Sequence, residues 1–562
     1  MPAADDPTRR ARGVGSHLLR KAGLRYDPAS EAPAVASAAD GEPGGPLAEG
    51  LFVNPIAEGA DPCVVRDGDR YLWCQSEGNV AVAIWTSDRL TSLGEKHVVW
   101  RAPEQGSWSK QVWAPELIKL DGRWHIYFAA SDGLNTNHLA YVLVADTEDA
   151  LGSYSLHGPL NTGDGDGGLS DNAWAIDMAV LEHPEGRRYA LWSGWPDATT
   201  QVQHLYIAAM DSPVSLVGPR VQLFSPFDYP WERIRDKPGA VGINEAPQPL
   251  VHGGRTFVVY SCGSALLPSY KLGMLELLGS DPLDPTSWSK LPRPVFSSAE
   301  TTFGVGHGGF LPSPDGAEWW HVYHAKIARS ESFRRAIQVQ PMTWSADGTP
   351  VLGQPVAAGM ALSEPSGTPL RRRSDAARWS FVSGVDGLAD FDYYGHHQFF
   401  SLHADGLHLG EIPASPVNDY RSGEKVVLRG GDYADVRVKA TFTLVEGSRA
   451  SGVLFRVTGS AVGFDAQRGY FAAVVPRTGR LVLGRTDGRG WTELAATPMA
   501  TGGSVEHTLI VETVGTTLSV QLEADPASRI RLDDDAYPHG SVGLRVVDTH
   551  AVFTELSVDP LA

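Results

Sequence analysis

Asp61-Pro62-Cys63-Val64-Val65, followed by Gly68 and Tyr71-Leu72-Trp73, sets a frame that the chain repeats. Asp177-Met178-Ala179-Val180 leads in the same way to Gly186 and Tyr189-Ala190-Leu191-Trp192. Glu245-Ala246-Pro247-Gln248-Pro249-Leu250 leads to Gly253-Gly254 and Phe257-Val258-Val259-Tyr260. Two further copies fit: Trp113-Ala114-Pro115-Glu116 before Asp121-Gly122 and Trp124-His125-Ile126-Tyr127, and Gly306-His307-Gly308 before Asp315-Gly316 and Trp319-Trp320-His321-Val322-Tyr323. Each copy reads as a short strand, a glycine turn and an aromatic strand. Five copies at a spacing of roughly 50–70 residues predict a β-propeller, whose blades surround one axis. Acids at the same place in three blades then converge on one small volume, where crowding drives their pKa values apart.

The bulk properties narrow the partners. A length of 562 residues allows two or three domains. A net charge of −19 argues against nucleic acid and anionic membrane as partners, and no run of 18 apolar residues offers a membrane-spanning helix. Three cysteines, Cys63, Cys74 and Cys262, are too few for a disulfide framework. The basic residues Arg9, Arg10, Arg12, Arg20 and Lys21 are not followed by an apolar run of signal-peptide length. A cytoplasmic protein is therefore the expectation, with export by another route left open.

Along the chain, residues 1–48 read as a disordered or weakly ordered extension rich in Ala, Gly, Pro and Asp. Residues 49–360 form the expected five-bladed propeller. A Pro/Ser/Gly/Arg-rich stretch, 361–376, reads as a linker. Beyond it, 377–562 changes character: Val436-Arg437-Val438-Lys439-Ala440-Thr441-Phe442 and His507-Thr508-Leu509-Ile510-Val511 alternate with period two, predicting an antiparallel β-sandwich. The chain is expected to be all-β.

The repeat body resembles glycoside hydrolase family 43, five-bladed propeller enzymes, through Ala60-Asp61-Pro62, Trp113-Ala114-Pro115-Glu116, Ala175-Ile176-Asp177, Asn244-Glu245-Ala246-Pro247, Gly304-Val305-Gly306-His307-Gly308 and Glu318-Trp319-Trp320-His321-Val322-Tyr323-His324-Ala325. The resemblance implies an inverting hydrolase in which Asp61 is the general base, Glu245 the general acid, and Asp177 the carboxylate that orients the acid and raises its pKa. It also implies a base-to-acid separation of about 6.5–9.5 Å, enough for a water. Taken singly, Asp61 reads equally as a turn residue, Asp177 as a strand cap and Glu245 as a loop charge. No cofactor is required. The resemblance places His307 on the axis, where it helps hold a structural calcium through water; the alternative is a hydrogen-bonded inner-strand histidine, since calcium prefers hard oxygen ligands. Arg335 matches an arginine that reaches the sugar or the acid carboxylate, the alternative being a surface ion pair. Trp113 is expected to stack on the sugar, and Glu116 beside it matches a structural position. Cys63 and Met178 depart from the family pattern without removing a carboxylate.

Trp73-Cys74-Gln75-Ser76-Glu77-Gly78-Asn79 and Tyr270-Lys271-Leu272-Gly273-Met274-Leu275 resemble arabinofuranosidases within that family. The implied activity is exo release of terminal α-L-arabinofuranosyl residues, with β-D-xylosidase or another furanosidase such as a galactofuranosidase as the alternative. Loops such as 225–244 favour exo action by blocking one end of the pocket. The retaining fructosidases of family 32 share the fold but carry different residues around the first and last acids. A sugar-binding propeller without turnover, or a protein-binding scaffold, would not need all three acids. The C-terminal part resembles concanavalin-like jelly rolls through Arg468-Gly469-Tyr470-Phe471-Ala472-Ala473-Val474-Val475; it either binds sugar or buttresses the propeller, and the lack of an evident aromatic row favours the second.

Overall fold

The computed structural model describes residues 45–561, apart from 166–170, 235–240, 300, 327, 383–387, 412–422, 445–448 and 501–505. Almost all of the expected 1–48 extension therefore lies outside the described residues. Four four-stranded antiparallel sheets and a fifth of five strands follow one another along the chain, and each begins at one copy of the repeat. Their first strands are Cys63–Asp67, Lys110–Leu120, Ala175–Glu182, Asn244–His252 and Phe303–Pro312. The second strands are buried through their middle, as in residues 71–75 of Arg70–Glu77, or over nearly their whole length, as in Arg123–Ser131. Each such strand is covered on both faces by neighbouring blades, which is why it reads as an unbroken apolar run rather than an alternation.

The fifth blade is closed from the other end of the domain. Its outer strand is Ala57–Glu58, paired with Arg335–Trp344 in the register Ala57↔Ile337 and Glu58↔Ala336. Upstream, the buried amide of Asn54 extends this ladder: Nδ2 donates to Val339 O at 2.8 Å and Oδ1 accepts from Val339 N at 3.1 Å. Phe52 and Ile56 enter the core between the first and last blades.

The C-terminal region forms an eight-stranded and a seven-stranded antiparallel sheet that share one hydrophobic core. Val436–Leu444 and Glu506–Val514 alternate buried and more exposed residues, as strands with one wet face must. The stretch expected as a linker is partly structured: Ala361–Ser363 pairs with Leu51–Val53. Sandwich and propeller meet along this segment, where Leu47, Val53, Ala361 and Ala461 cluster and Val462 N donates to Pro55 O at 3.0 Å. Arg89 adds ion pairs to Glu364 at 3.9 Å and Asp392 at 3.7 Å. The three cysteines are buried and free, and no helix among the described residues is long and apolar enough to cross a membrane.

Replacing Asn54 by Ala leaves the N–H and C=O of Val339 without partners in the core. The expected loss is roughly 1–3 kcal/mol of stability, read as a lower urea midpoint at unchanged slope; an unchanged midpoint would show that the ladder does not need this amide.

Candidate active site

A single backbone feature aims side chains at the axis. Every innermost segment has a non-glycine residue in the left-handed conformation: Asp61 (φ 50°), Ala114 (44°, with Gln111 at 51° before it), Asp177 (56°), Ala246 (51°) and His307 (37°). The four whose pairing crosses that residue show a register shift there, between Trp113 and Glu116, Ile176 and Ala179, Glu245 and Gln248, and Gly306 and Gly308. A bulge of this kind places two residues against one and re-aims the chain. Asp61, Asp177 and His307 occupy the left-handed position itself. Glu245 does not: it precedes Ala246, as Trp113 precedes Ala114. The three acids therefore do not share one repeat position, and aligning Pro62, Pro115 and Pro247 reveals the offset.

The acids nevertheless converge. His307, buried on the axis, holds Nδ1 3.3 Å from Asp61 Oδ1 and 4.0 Å from Asp177 Oδ2, while Nε2 lies 3.5 Å from Glu116 Oε1. Asp177 Oδ2 accepts from Ala246 N at 3.1 Å, directly beside Glu245. Glu245 Oε1 accepts from Tyr270 OH at 2.8 Å. Arg335 Nη1 reaches Asp61 Oδ1 at 2.9 Å with its side chain 12% exposed, so this arginine grips Asp61 instead of the acid carboxylate or a surface partner. His324 Nδ1 accepts from Asp61 N at 3.1 Å.

These surroundings drive the carboxyls apart. Burial alone would raise Asp61, but the charges of Arg335 and His307 override it and hold the group well below the usual carboxylate range. Asp177 is raised, first by burial and then by the charges of Asp61 and Glu116, against the opposing pull of His307 and the Ala246 N–H. Glu245 is pushed up to about 8, first by burial and next by Asp177, with the Tyr270 hydrogen bond acting the other way. His307 is raised to about 9: burial disfavours its charge, but Asp61, Glu116 and Asp177 outweigh it. His324 falls to about 3, chiefly through burial and then through Arg335. The site thus combines one firmly ionised carboxylate with one that holds its proton near neutrality.

Both ring nitrogens of His307 face carboxylates, so the residues around it do not fit a calcium held through this side chain. Among the described residues no group of three or more His, Cys, Asp or Glu is arranged to hold a metal ion.

Trp113 stacks one face on His138, at 4.0 Å and 26°. Trp174 and Trp195 stack beside it at 4.4 Å and 8°, and together with Ile176 they form an aromatic wall. Of the loop 225–244, residues 235–240 lie outside the described residues. Its root is fixed by fully buried Glu232, which pairs with Lys290 at 2.7 Å and accepts from Asn244 Nδ2 and Tyr260 OH. Tyr270, His324 and Glu116 carry site contacts that the repeat frame did not assign; each lies in a quoted motif, but its partner is distant in sequence.

The model of glycosyl hydrolases family 43 matches residues 52–350. An extracellular exo-α-(1→5)-L-arabinofuranosidase of Streptomyces chartreusis is 32% identical over 49% of this chain and 82% of its own length. One of the same name from Streptomyces avermitilis is 30% identical over 55% of this chain and 64% of its own, so the chain spans less than two thirds of that relative. The crystal structure of an α-L-arabinofuranosidase from Lactobacillus brevis is 33% identical over 55% of this chain and 98% of its own, with a TM-score of 0.49. The cytoplasmic expectation is overturned here: two relatives are named as extracellular. That expectation rested on a missing apolar leader, an absence that does not fix the compartment.

Gly306 admits the Tyr270 ring to Glu245, since a Cβ at 306 would sit 2.1 Å from Tyr270 Cε1. Gly306→Ala is expected to displace that ring and cost about 1–3 kcal/mol through overpacking, measured as a lower thermal midpoint; an unshifted midpoint would mean the ring has room to move.

Proposed function

We propose that this chain, which belongs to glycosyl hydrolases family 43, releases terminal α-L-arabinofuranosyl residues from arabinose-containing oligo- or polysaccharides with inversion at the anomeric carbon. The observation that carries this reading is the contrast between two acids at one axis: Asp61 is gripped by Arg335 at 2.9 Å, whereas Glu245 sits beside Asp177 and accepts from the Tyr270 hydroxyl at 2.8 Å. Asp61 accepts a proton from the attacking water. Its grip by Arg335 weakens it as a base, but an oxocarbenium-like transition state makes the water acidic as the new bond forms, so modest basicity suffices. Glu245 donates its proton to the leaving oxygen. Asp177 keeps that proton in place by like-charge repulsion, and Tyr270 fixes the direction of the carboxyl. The relatives' names support arabinofuranosides as the substrate class and action outside the cell.

Asp61→Ala is expected to lower kcat/KM by about 10²–10⁴ on every arabinofuranoside. Glu245→Ala is expected to do so on alkyl and sugar leaving groups but much less on p-nitrophenyl, which departs without protonation. Proton NMR of the first-formed sugar should show the β-anomer; the α-anomer would exclude inversion. Parallel assays on β-D-xylosides separate the xylosidase alternative: faster turnover there would overturn the arabinofuranoside reading.

The pH profile follows from the same acid. Activity requires protonated Glu245, so kcat/KM is present below about 8 and lost as pH rises through it. Asp177→Asn removes a charge that raises Glu245 and should move this limb to lower pH. Tyr270→Phe removes a hydrogen bond that lowers Glu245 and should move it to higher pH. Limbs that stay put in both variants would detach Glu245 from the profile.

A further inference from the structure

Three residues before Asp61, Glu58 lies in the strand that closes the fifth blade, opposite Ala336. Gly59 N donates to Arg335 O at 3.1 Å, so Glu58 and Arg334 flank the base and its arginine on adjoining backbones. Both side chains meet one residue of the C-terminal sandwich. His396 Nδ1 is 2.5 Å from Glu58 Oε1, and His396 Nε2 is 3.2 Å from Arg334 Nη1. A guanidinium only donates, so Nε2 accepts and the proton of the neutral ring sits on Nδ1, toward Glu58.

His396 is itself held firmly. It is 7% exposed. Its N–H donates to Glu424 Oε2 at 2.9 Å and its C=O accepts from Tyr393 OH at 2.6 Å. Tyr393 also hydrogen-bonds Glu424. Gly395 allows this turn, because a Cβ there would fall 1.7 Å from Glu424 Oε2. The next residue adds a second hold on the same strand: His397 Nε2 donates to Glu58 O at 2.6 Å. Burial raises Glu58 to about 8 against the pull of Arg334. Burial, reinforced by Arg334 and opposed by Glu411, lowers His396 to about 4. The seam is thus neutral on the histidine side near pH 7.

We infer that His396 is a positioning residue that the C-terminal sandwich supplies to the propeller: by holding Glu58 and Arg334 it fixes the Arg335–Asp61 pair, so the sandwich helps set the catalytic base. The inference rests on the reading of Asp61 as that base. It gives the sandwich a role in the reaction without a sugar-binding surface of its own. Its contact is with neither substrate nor reacting atoms.

The test uses the full-length enzyme and p-nitrophenyl α-L-arabinofuranoside. His396→Ala is expected to lower kcat about 10- to 100-fold, as a small misplacement of a reacting group does, with KM within about threefold of wild type. The acid limb of kcat/KM should move to higher pH, because Asp61, which faces Arg335, His307 and His324 with Asp177 beyond His307, loses part of the hold that keeps it ionised. His396→Gln, whose amide can donate toward Glu58 and accept from Arg334, should recover most of the rate. Wild-type kcat and pH profile in His396→Ala, beside an inactive Asp61→Asn, overturns the inference and leaves the base. Activity that survives Asp61→Asn overturns the base and the inference with it. Equal loss in the Ala and Gln variants with an unshifted acid limb marks a purely structural residue and also overturns it. If His396→Ala does not fold, Glu58→Leu decides: a lower kcat and a raised acid limb support the positioning role, and a wild-type profile ends it.

Discussion

The pairing of Ala57–Glu58 with Arg335–Trp344 closes the propeller, and the functional site depends on it. Asp61 and Arg335 are 274 residues apart in sequence and 2.9 Å apart in space. Closing a flexible loop of that length costs on the order of 5 kcal/mol in entropy beyond a constant. A few ladder hydrogen bonds, worth about 1 kcal/mol each, do not offset it alone. Burial of Phe52 and Ile56, at about 1.5–3 kcal/mol each, together with the two hydrogen bonds of Asn54, does. The apolar segment just upstream of the base is therefore the part that makes the base possible. The sandwich packs on this same segment through Leu47, Val53 and Ala461, so two domains secure one short stretch of chain.

Around the axis, charge is arranged about a single imidazole. His307 lies between Asp61, Asp177 and Glu116. Carboxylates crowded together without a cation repel one another, and such crowding favours their protonated forms. One imidazolium together with Arg335 is enough to hold Asp61 ionised but too little to do the same for Glu245, which has the charge of Asp177 beside it. That shortage of positive charge is what leaves a proton on Glu245. An additional cation near Asp177 would destroy the asymmetry, which is a physical reason for the fourth blade to offer only a backbone N–H and a tyrosine there.

Local pattern made much of this legible. Glycine turns and aromatic strands at a constant spacing announce the blades, because middle strands buried on both faces must be apolar throughout. Alternation in 436–444 and 506–514 announces the sandwich for the opposite reason. The acids Asp61, Asp177 and Glu245 and the axial His307 were all visible as opening residues of repeats. What stayed hidden depends on pairing across hundreds of residues. Ala57–Glu58 is too short for any periodicity to register. His324 reaches Asp61 from 263 positions away, and the contact of Arg335 with Asp61 instead of Glu245 follows from which blade edge the closing strand chooses. The offset of Glu245 from its bulge was readable from the aligned prolines, yet an alignment that starts from the acids conceals it.

The left-handed residues tie the backbone to the chemistry more closely than convergence alone. Such a conformation costs roughly 1–2 kcal/mol for a residue with a Cβ and persists only where the surroundings over-determine it. A bulge also takes an N–H out of the ladder, and a buried N–H must find another acceptor. In two bulged blades a side chain provides it, Asp177 Oδ2 for Ala246 and Ser261 Oγ for His307, and His324 Nδ1 does the same for the unladdered N–H of Asp61. Asp177 therefore has two tasks that pull its proton in opposite directions. Accepting from Ala246 favours the ionised form, whereas burial and the charge of Asp61 favour the neutral one. An asparagine at 177 keeps an oxygen for the Ala246 N–H while removing the charge, so it separates the two tasks; an alanine removes both and would confound a collapsed bulge with a lost electrostatic effect.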